Sequence, residues 1–321
     1  MNISGKTVSV AMATFNGSRF IRQQLDSIIN QTITPEQIVI VDDLSTDDTV
    51  SILREYKGLY PDLIDLYINT VNIGYVANFE RAVSKCTSTF IALADQDDIW
   101  MPQKLEVLLN KIGDKLLIHS DAIIIDENQN LINNSLTTYT NKKSSISVTD
   151  LLLHNSVTGC TTLFRKKLSD LSLPFPESLY HDWWLSLVAA SFNSLVYTDE
   201  KLIKYRIHSN NVIGCTFNQK KTLIQTARDF KYIFKRRNQK IQVMNQRIIL
   251  LKSRSLCLKD SKITKLQNDI SFLHDNYNSN KCKISFNCFI LYARNFNVLH
   301  KADRYSFIFS MMQFCTSFIC V

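Results

Sequence analysis

Three carboxylates fall within four positions in the stretch "FIALADQDDIWMPQKL" (90–105), where Asp95, Asp97 and Asp98 follow an apolar run. Carboxylates this close raise one another's pKa unless a positive charge sits among them. Hard cations such as Mg2+ or Mn2+ favour carboxylate oxygens, and Mg2+ is commonly shared between one or two protein carboxylates, substrate phosphates and water. That chemistry suits the departure of a diphosphate. The same residues also suit a polar turn in which Asp98 caps the helix after Pro102.

Other chemistry-bearing residues lie far from this cluster in the chain. Asp42 and Asp43 follow the apolar run "IVIV" and can hydrogen-bond a nucleobase or ribose, or simply form a turn after a strand. Asp182 stands where a helix begins and is either its cap or a general base. His181, Trp183 and Trp184 adjoin it, and aromatic faces suit sugar rings. Arg206 and His208, in "YRIHSNN", offer cationic or hydrogen-bonding groups to a phosphate, or lie on a surface loop.

These residues need a scaffold, and the first hundred positions alternate strand and helix signals. "TVSVAMA" (7–13) is a short apolar run, Phe20, Ile21, Leu25, Ile28 and Ile29 fall near helical spacing, and "IVIV" (38–41) reads as a strand buried on both faces. "STDDTVSILREY" predicts a capped helix, "DLIDLYI" a strand, "YVANFERAVSKC" a helix and "TFIALA" a strand. This is an α/β pattern with acidic residues at strand ends. In open α/β sheets, ligands bind beyond the carboxyl ends of strands where strand order reverses. After residue 116 the pattern loosens. "KLLIHSDAIIID" predicts one or two strands, the polar stretch 133–147 a mobile lid-like loop, and "LYHDWWLSLVAASF" (179–192) a buried helix.

Charge divides the chain more sharply than hydropathy does. Residues 1–215 carry 18 Lys+Arg against 24 Asp+Glu, while 216–321 carry 19 against 5, within a net charge of +8. A tail of net +14 reads as a solvated helical face or as a surface for a polyanion, whether membrane or nucleic acid. Leu223, Ala227, Phe230, Phe234, Ile241, Met244, Ile248 and Leu251 recur at helical spacing among basic residues such as Lys220, Arg236 and Arg247. That favours a helix resting on anionic lipid. None of the eight cysteines forms a Cys-x-x-Cys pair, so they read as reduced, mostly buried thiols. The first residues lack the pattern of a secretory signal, which predicts a cytoplasmic protein, peripheral on the inner face of the cytoplasmic membrane.

"VSVAMATFNG", "IVIVDDLSTDDT", "NIGYVANFERAV", "ALADQDDIW", "HDWWLSLVAA" and "YRIHSNNVIG" follow one another as in the family 2 inverting glycosyltransferases, and the chain resembles their bacterial O-antigen rhamnosyl- and glucosyltransferase branch over roughly residues 5–215. The resemblance implies the GT-A nucleotide-diphospho-sugar transferase fold over 1–215, with a mostly helical, basic extension over 216–321. It also implies that Thr14, Asn16 and Asp42 meet the nucleotide, that Asp95 reaches the ribose side, that Asp97 and Asp98 manage Mn2+ or Mg2+ and the diphosphate, and that Asp182 is the base. Its expected partners are a nucleotide diphosphate sugar, an undecaprenyl diphosphate-linked saccharide and an anionic membrane surface, with no nucleic acid. Leu44 stands where many relatives place glycine, and Phe15 where tyrosine is frequent. The Gln-x-x-Arg-Trp signature of processive synthases is absent, which predicts one sugar per reaction; the resemblance implies a hexose or deoxyhexose from a donor of the UDP-glucose or dTDP-rhamnose type. Two rivals remain: a sugar-phosphate nucleotidyltransferase, which should show a glycine-rich basic loop where this chain has "TFNGSRF", and a non-catalytic membrane-surface protein with a degenerate front domain.

Overall fold

The computed structural model describes residues 5–140, 146–152, 154–209, 243 and 246–251. Its first half alternates β1 (Val8–Thr14), α1 (Ile21–Ile29), β2 (Gln37–Asp42), α2 (Thr49–Leu59), β3 (Ile64–Ile68), α3 (Tyr75–Lys85) and β4 (Phe90–Ala94). There follow β5 (Ile99–Trp100), α4 (Lys104–Lys111), β6 (Leu117–Ile125), β7 (Leu131–Asn133), α5 (Leu136–Tyr139) and α6 (Val148–Leu151). The described elements close with β8 (Thr162–Arg165), α7 (Lys166–Ser172), α8 (His181–Ser191) and β9 (Leu195–Arg206).

One sheet carries all nine of these strands, in the order β3-β2-β1-β4-β8-β6-β9-β5, with β7 on β6. The strands β3, β2, β1 and β4 run parallel. Helices cover both faces of such strands, which is why "VSVAMAT" and "FIALA" are almost wholly buried without alternation. Amphipathic spacing sets the helices: Ile21, Leu25 and Ile28 of α1 are fully buried, each stabilising by roughly 1.5–3 kcal/mol relative to exposure. β1 continues through α1 to β2 on one side, whereas its other neighbour, β4, arrives from α3. Strand order therefore reverses at β1, and the carboxyl ends of β1 and β4 flank a crevice. β8 pairs antiparallel with β4 and with β6, and β6 runs parallel to β9.

The chain divides into two compact units, one of residues 1–146 with 155–220, the other of 147–154 with 221–321. The sheet belongs wholly to the first. In the second, α6 opens with a capping box in which Ser147 and Asp150 satisfy each other's backbone N–H groups. Of the apolar stripe expected in the tail, Ile248 and Leu251 are described, and both are buried in a helical segment, 246–251. Arg247, expected on the basic face, instead donates to the Leu152 carbonyl at 2.5 Å, and burial lowers its pKa to about 10. Leu223, Ala227, Phe230, Phe234, Ile241, Met244, Lys220 and Arg236 lie outside the described residues. Among those described, no helix is long and apolar enough to cross a membrane.

Candidate active site

A cleft of ≈ 440 Å³ opens where the carboxyl ends of β1 and β4 meet the N-terminus of α8. Thr14, Phe15, Asp95, Gln96, Asp97, His181 and Asp182 all line it, so residues separated by 168 positions in the chain share one cleft. On the β1 side, the loops are joined by side chains bonding to backbone. The Asn16 side-chain Oδ1 accepts from Thr46 N–H at 2.8 Å, and Asn16 N–H donates to Ser45 Oγ at 2.8 Å. Asp42 is buried behind Thr14 and is absent from the cleft lining. Its carboxylate accepts from Thr14 Oγ1 at 2.8 Å, Ser45 N–H at 2.8 Å and Ser45 Oγ at 2.6 Å. Asp43, not Asp42, reaches the cleft, and it also accepts from Ile73 and Gly74 N–H, each at 2.8 Å, which fixes the loop leading into α3. Leu44 adopts φ 65°, so the turn keeps the left-handed conformation although the residue is not glycine.

The acidic cluster separates into two roles. Asp97 faces the cleft, with its Oδ2 2.8 Å from His208 Nε2. Asp98 is fully buried and does not line the cleft: its Oδ1 accepts from Arg206 N–H at 3.1 Å, while its Oδ2 has no hydrogen-bond partner among the described residues. Asp95 lines the cleft, and its carboxylate lies within 4.8 Å of an Asp98 carboxylate oxygen and of Cys160 Sγ. Burial, then the Asp98, Asp97 and Asp182 charges, hold its pKa well above the usual carboxylate range. Asp98 is raised by burial and then by Asp97. The nearby cation, Lys104, is itself lowered to about 7 by burial, and its Nζ donates to the Cys160 carbonyl at 2.7 Å.

Arg206, expected at a phosphate, is buried, and its guanidinium donates to the Asp97 and Glu127 carbonyls and to Gln23 Oε1. It fixes the acidic loop from behind. His208 is absent from the lining and bonds to Asp97, which lines the cleft.

Asp182 sits in the first turn of α8, where the unbonded N–H groups of a helix start favour a negative charge. Asn155 Nδ2 at 3.0 Å and Trp183 N–H at 2.6 Å donate to its Oδ1, and Gly159 N–H at 3.1 Å donates to its Oδ2. A Cβ at Gly159 would stand 3.1 Å from His181 Nε2, so the bare backbone is what lets this loop approach. His181 stacks on Phe79 with ring centroids 3.9 Å apart, and neither ring nitrogen has a hydrogen-bond partner among the described residues. Burial lowers its pKa. Trp184, expected in a sugar pocket, is a core residue whose Nε1 donates to the Ser172 carbonyl at 2.9 Å. Its place on the buried stripe of α8, with His181, Leu185 and Val188, explains the difference. Trp183 is half-buried and also off the cleft. The aromatic lining comes instead from Phe15 and Phe79 and from Tyr75, Tyr139, Tyr180 and Tyr205, tyrosines not singled out from sequence.

The stretch expected to be a lid supplies a wall. α5 contributes Leu136 and Tyr139 to the cleft, and Thr140 follows. Buried Asp121 of β6 holds it, accepting from Ser135 Oγ at 2.6 Å and from Thr137 N–H and Oγ1 at 3.0 Å each. Residues 141–145 lie outside the described residues.

An α/β sheet that reverses its order beside an acidic loop, with a further carboxylate at a facing helix, is the architecture of GT-A glycosyltransferases. The glycosyl transferase family 2 profile matches residues 9–172, and the chain belongs to that family. It is 30% identical over 230 residues to the dTDP-rhamnosyl transferase RfbG of Shigella flexneri, covering 65% of this chain and 75% of that one. To an Escherichia coli UDP-Glc:alpha-D-GlcNAc-diphosphoundecaprenol beta-1,3-glucosyltransferase, WfgD, it is 25% identical over 225 residues, 70% and 86% of the two chains. Among solved structures, Staphylococcus aureus TarS in complex with UDP-GlcNAc has a similar fold, with a TM-score of 0.54 at 17% identity over 91% of this chain and 81% of that one. The mannosyltransferase PcManGT of Pyrobaculum calidifontis, in complex with GDP-Man and Mn2+, aligns with a TM-score of 0.50 at 17% identity over 64% and 58%. The chain is a glycosyltransferase.

Proposed function

We propose that the protein transfers a single hexose or deoxyhexose, with inversion, from a nucleotide diphosphate sugar of the UDP-glucose or dTDP-rhamnose type to a hydroxyl of a lipid diphosphate-linked saccharide. The observation that carries this reading is the convergence of Asp182 and the acidic loop on one cleft. Asp182 takes the proton of the acceptor hydroxyl as that oxygen bonds to the anomeric carbon. The carboxylate suffices as a base because the hydroxyl becomes acidic as its bond to the sugar forms. Asn155, Gly159 and Trp183 hold the accepting oxygens in place. Thr14 and Phe15, at the cleft, receive the nucleotide, while Asn16, which is absent from the lining, orders the loop beside them through Thr46 and Ser45. Asp42 aligns the Thr14 hydroxyl from behind.

The donor set fits a divalent cation of the Mn2+ or Mg2+ class. Asp95, Asp97 and Asp98 are all oxygen donors, and the pKa of Asp95 is raised first by burial and then by the charges of three neighbouring carboxylates, a repulsion that a cation relieves. Asp97, at the cleft, would hold it, with Asp95 and Asp98 behind; bound there, it would supply charge for the departing diphosphate. Asp97 is kept in position by His208, and the loop by Arg206.

The names of the two bacterial relatives support the donor and acceptor classes. Incubating the protein with UDP-, dTDP- and GDP-sugars and a lipid diphosphate-linked GlcNAc acceptor, then solving the linkage of the product, tests the reading. An unchanged acceptor with every donor would defeat it. The acceptor class and the +14 tail together support a peripheral position on anionic membrane. The full chain should sediment with anionic vesicles at low salt and release near about 0.5 M salt, where the Debye length is only a few ångström. Equal binding to neutral vesicles would remove the electrostatic account.

A further inference from the structure

Gln96, the residue inside the acidic motif that carries no charge, makes a two-way contact across the switch point. Phe15 N–H donates to its Oε1 at 2.8 Å, and its Nε2 donates to the Phe15 carbonyl at 2.9 Å. A side-chain amide thus imitates a strand, pairing both polar groups of one residue's backbone. Those groups extend past the end of β1, where the sheet no longer supplies a partner. The Phe15 ring is 45% exposed and lines the cleft. Exposed aromatic rings are mobile unless their backbone is fixed, and an unfixed ring must be ordered when a ligand stacks on it.

Gly17 shows that the space around this clamp is used. A Cβ built on Gly17 would overlap the Gln96 carboxamide. The atoms it meets are the far end of a flexible side chain, so the inexpensive response is for Gln96 to swing away and leave the fold intact.

We propose that Gln96 is a positioning residue for donor binding: it clamps the Phe15 backbone, so that the ring stands ready at the cleft for the base of a nucleoside diphosphate. This rests on the transferase reading above. It assigns Gln96 to affinity, whereas Asp97 belongs to the rate.

The test uses the full chain and Gln96→Ala, Gly17→Ala and the double variant. Calorimetry measures UDP, dTDP and GDP, steady-state kinetics separates KM from kcat, and amide hydrogen exchange follows Phe15 without ligand. Gln96→Ala should weaken nucleoside diphosphate binding about tenfold, as expected for two net hydrogen bonds. The donor KM should rise to match, with kcat nearly unchanged. Phe15 N–H should exchange faster, while Gly17 N–H, which donates to Thr49 Oγ1 at 2.8 Å, keeps its protection in Gln96→Ala. Gly17→Ala should imitate the loss and add nothing in the Gln96→Ala background. The proposal is overturned if Phe15 exchange ignores Gln96, if the two losses multiply, or if kcat falls at unchanged affinity. Failure of the unaltered protein to bind any of the three nucleotides would instead sink the donor assignment, and the exchange rates alone would then decide the clamp.

Discussion

The two walls of the cleft are built on different terms. The wall from β1, β2 and β4 has its polar groups tied to one another: Asp42 accepts from Thr14 and Ser45, Asp43 from Ile73 and Gly74, and Gln96 pairs with Phe15. The wall around α8 keeps groups in reserve, with both His181 nitrogens unpartnered among the described residues and the Tyr180 ring 38% exposed. A satisfied wall is rigid and suits a ligand whose phosphates and base must be held in register. Groups held in reserve suit a partner that brings its own hydroxyls. The donor and acceptor sides can therefore be told apart by what each substitution changes.

The largest effect should come from the α8 side. Asp182→Asn keeps shape but cannot take a proton, so transfer should fall by about 10² to 10⁴. Nucleotide affinity, read by calorimetry, should stay nearly intact; transfer within a few-fold of the original would reduce Asp182 to a helix-start charge. Next, Asp97→Ala on the other wall should cost about 10² to 10³ in rate and remove any activation by Mn2+ or Mg2+. A full rate of the unaltered protein in EDTA would end the cation assignment.

A smaller effect sharpens the contrast in pH dependence. The folded-state pKa of His181 lies below its usual 6.5, so between that lowered value and 6.5 the unfolded chain binds more protons than the folded one. Stability then falls as pH drops through this window, by at most about 1.4 kcal/mol per unit from this group. Denaturant melts of the unaltered protein and His181→Phe at several pH values should show the phenylalanine variant gaining relative stability toward acid; parallel curves would contradict the burial of a neutral imidazole. The smallest effect belongs to Leu44→Gly. Relief of left-handed backbone strain, about 1–2 kcal/mol, is offset by about 0.5–1 kcal/mol of added backbone entropy in the unfolded chain. The unfolding midpoint should rise slightly, and a fall would show that the half-exposed leucine side chain contributes more than its φ costs.

The same division decides what could be read from sequence. The β1 to β4 half was legible element by element, because its strands are buried runs and its helices amphipathic, both local signals. β8 and β9 were not, since β8 has only four residues and β9 carries Asp199, Glu200, Lys201 and Lys204 along its twelve. Their strand character comes from long-range pairing with β4 and β6. Among the candidate site residues, Thr14, Asp95, Asp97, His181 and Asp182 line the cleft. Asn16, Asp42, Asp98, Arg206 and His208 do not, because residue type alone cannot tell a polar side chain facing a ligand from one bonded into the loop behind it. Trp184 looked like a sugar platform by its neighbours, yet helical spacing placed it with Leu185 and Val188 in the core. Gly159 and the tyrosines carried no motif at all.

The attachment of α5 by Asp121 has a bearing on how such a cleft is retuned. Ser135 and Thr137 take the anchoring bonds, whereas Leu136, Tyr139 and Thr140 face the cavity. Anchor and lining thus occupy separate positions of one short segment. Exchange of Tyr139 and Thr140 would reshape the wall while the Asp121 fastening stays the same, whereas Leu136 also belongs to the buried core; the segment is an interchangeable part of the cleft, open to retuning without disturbing the acidic loop or α8.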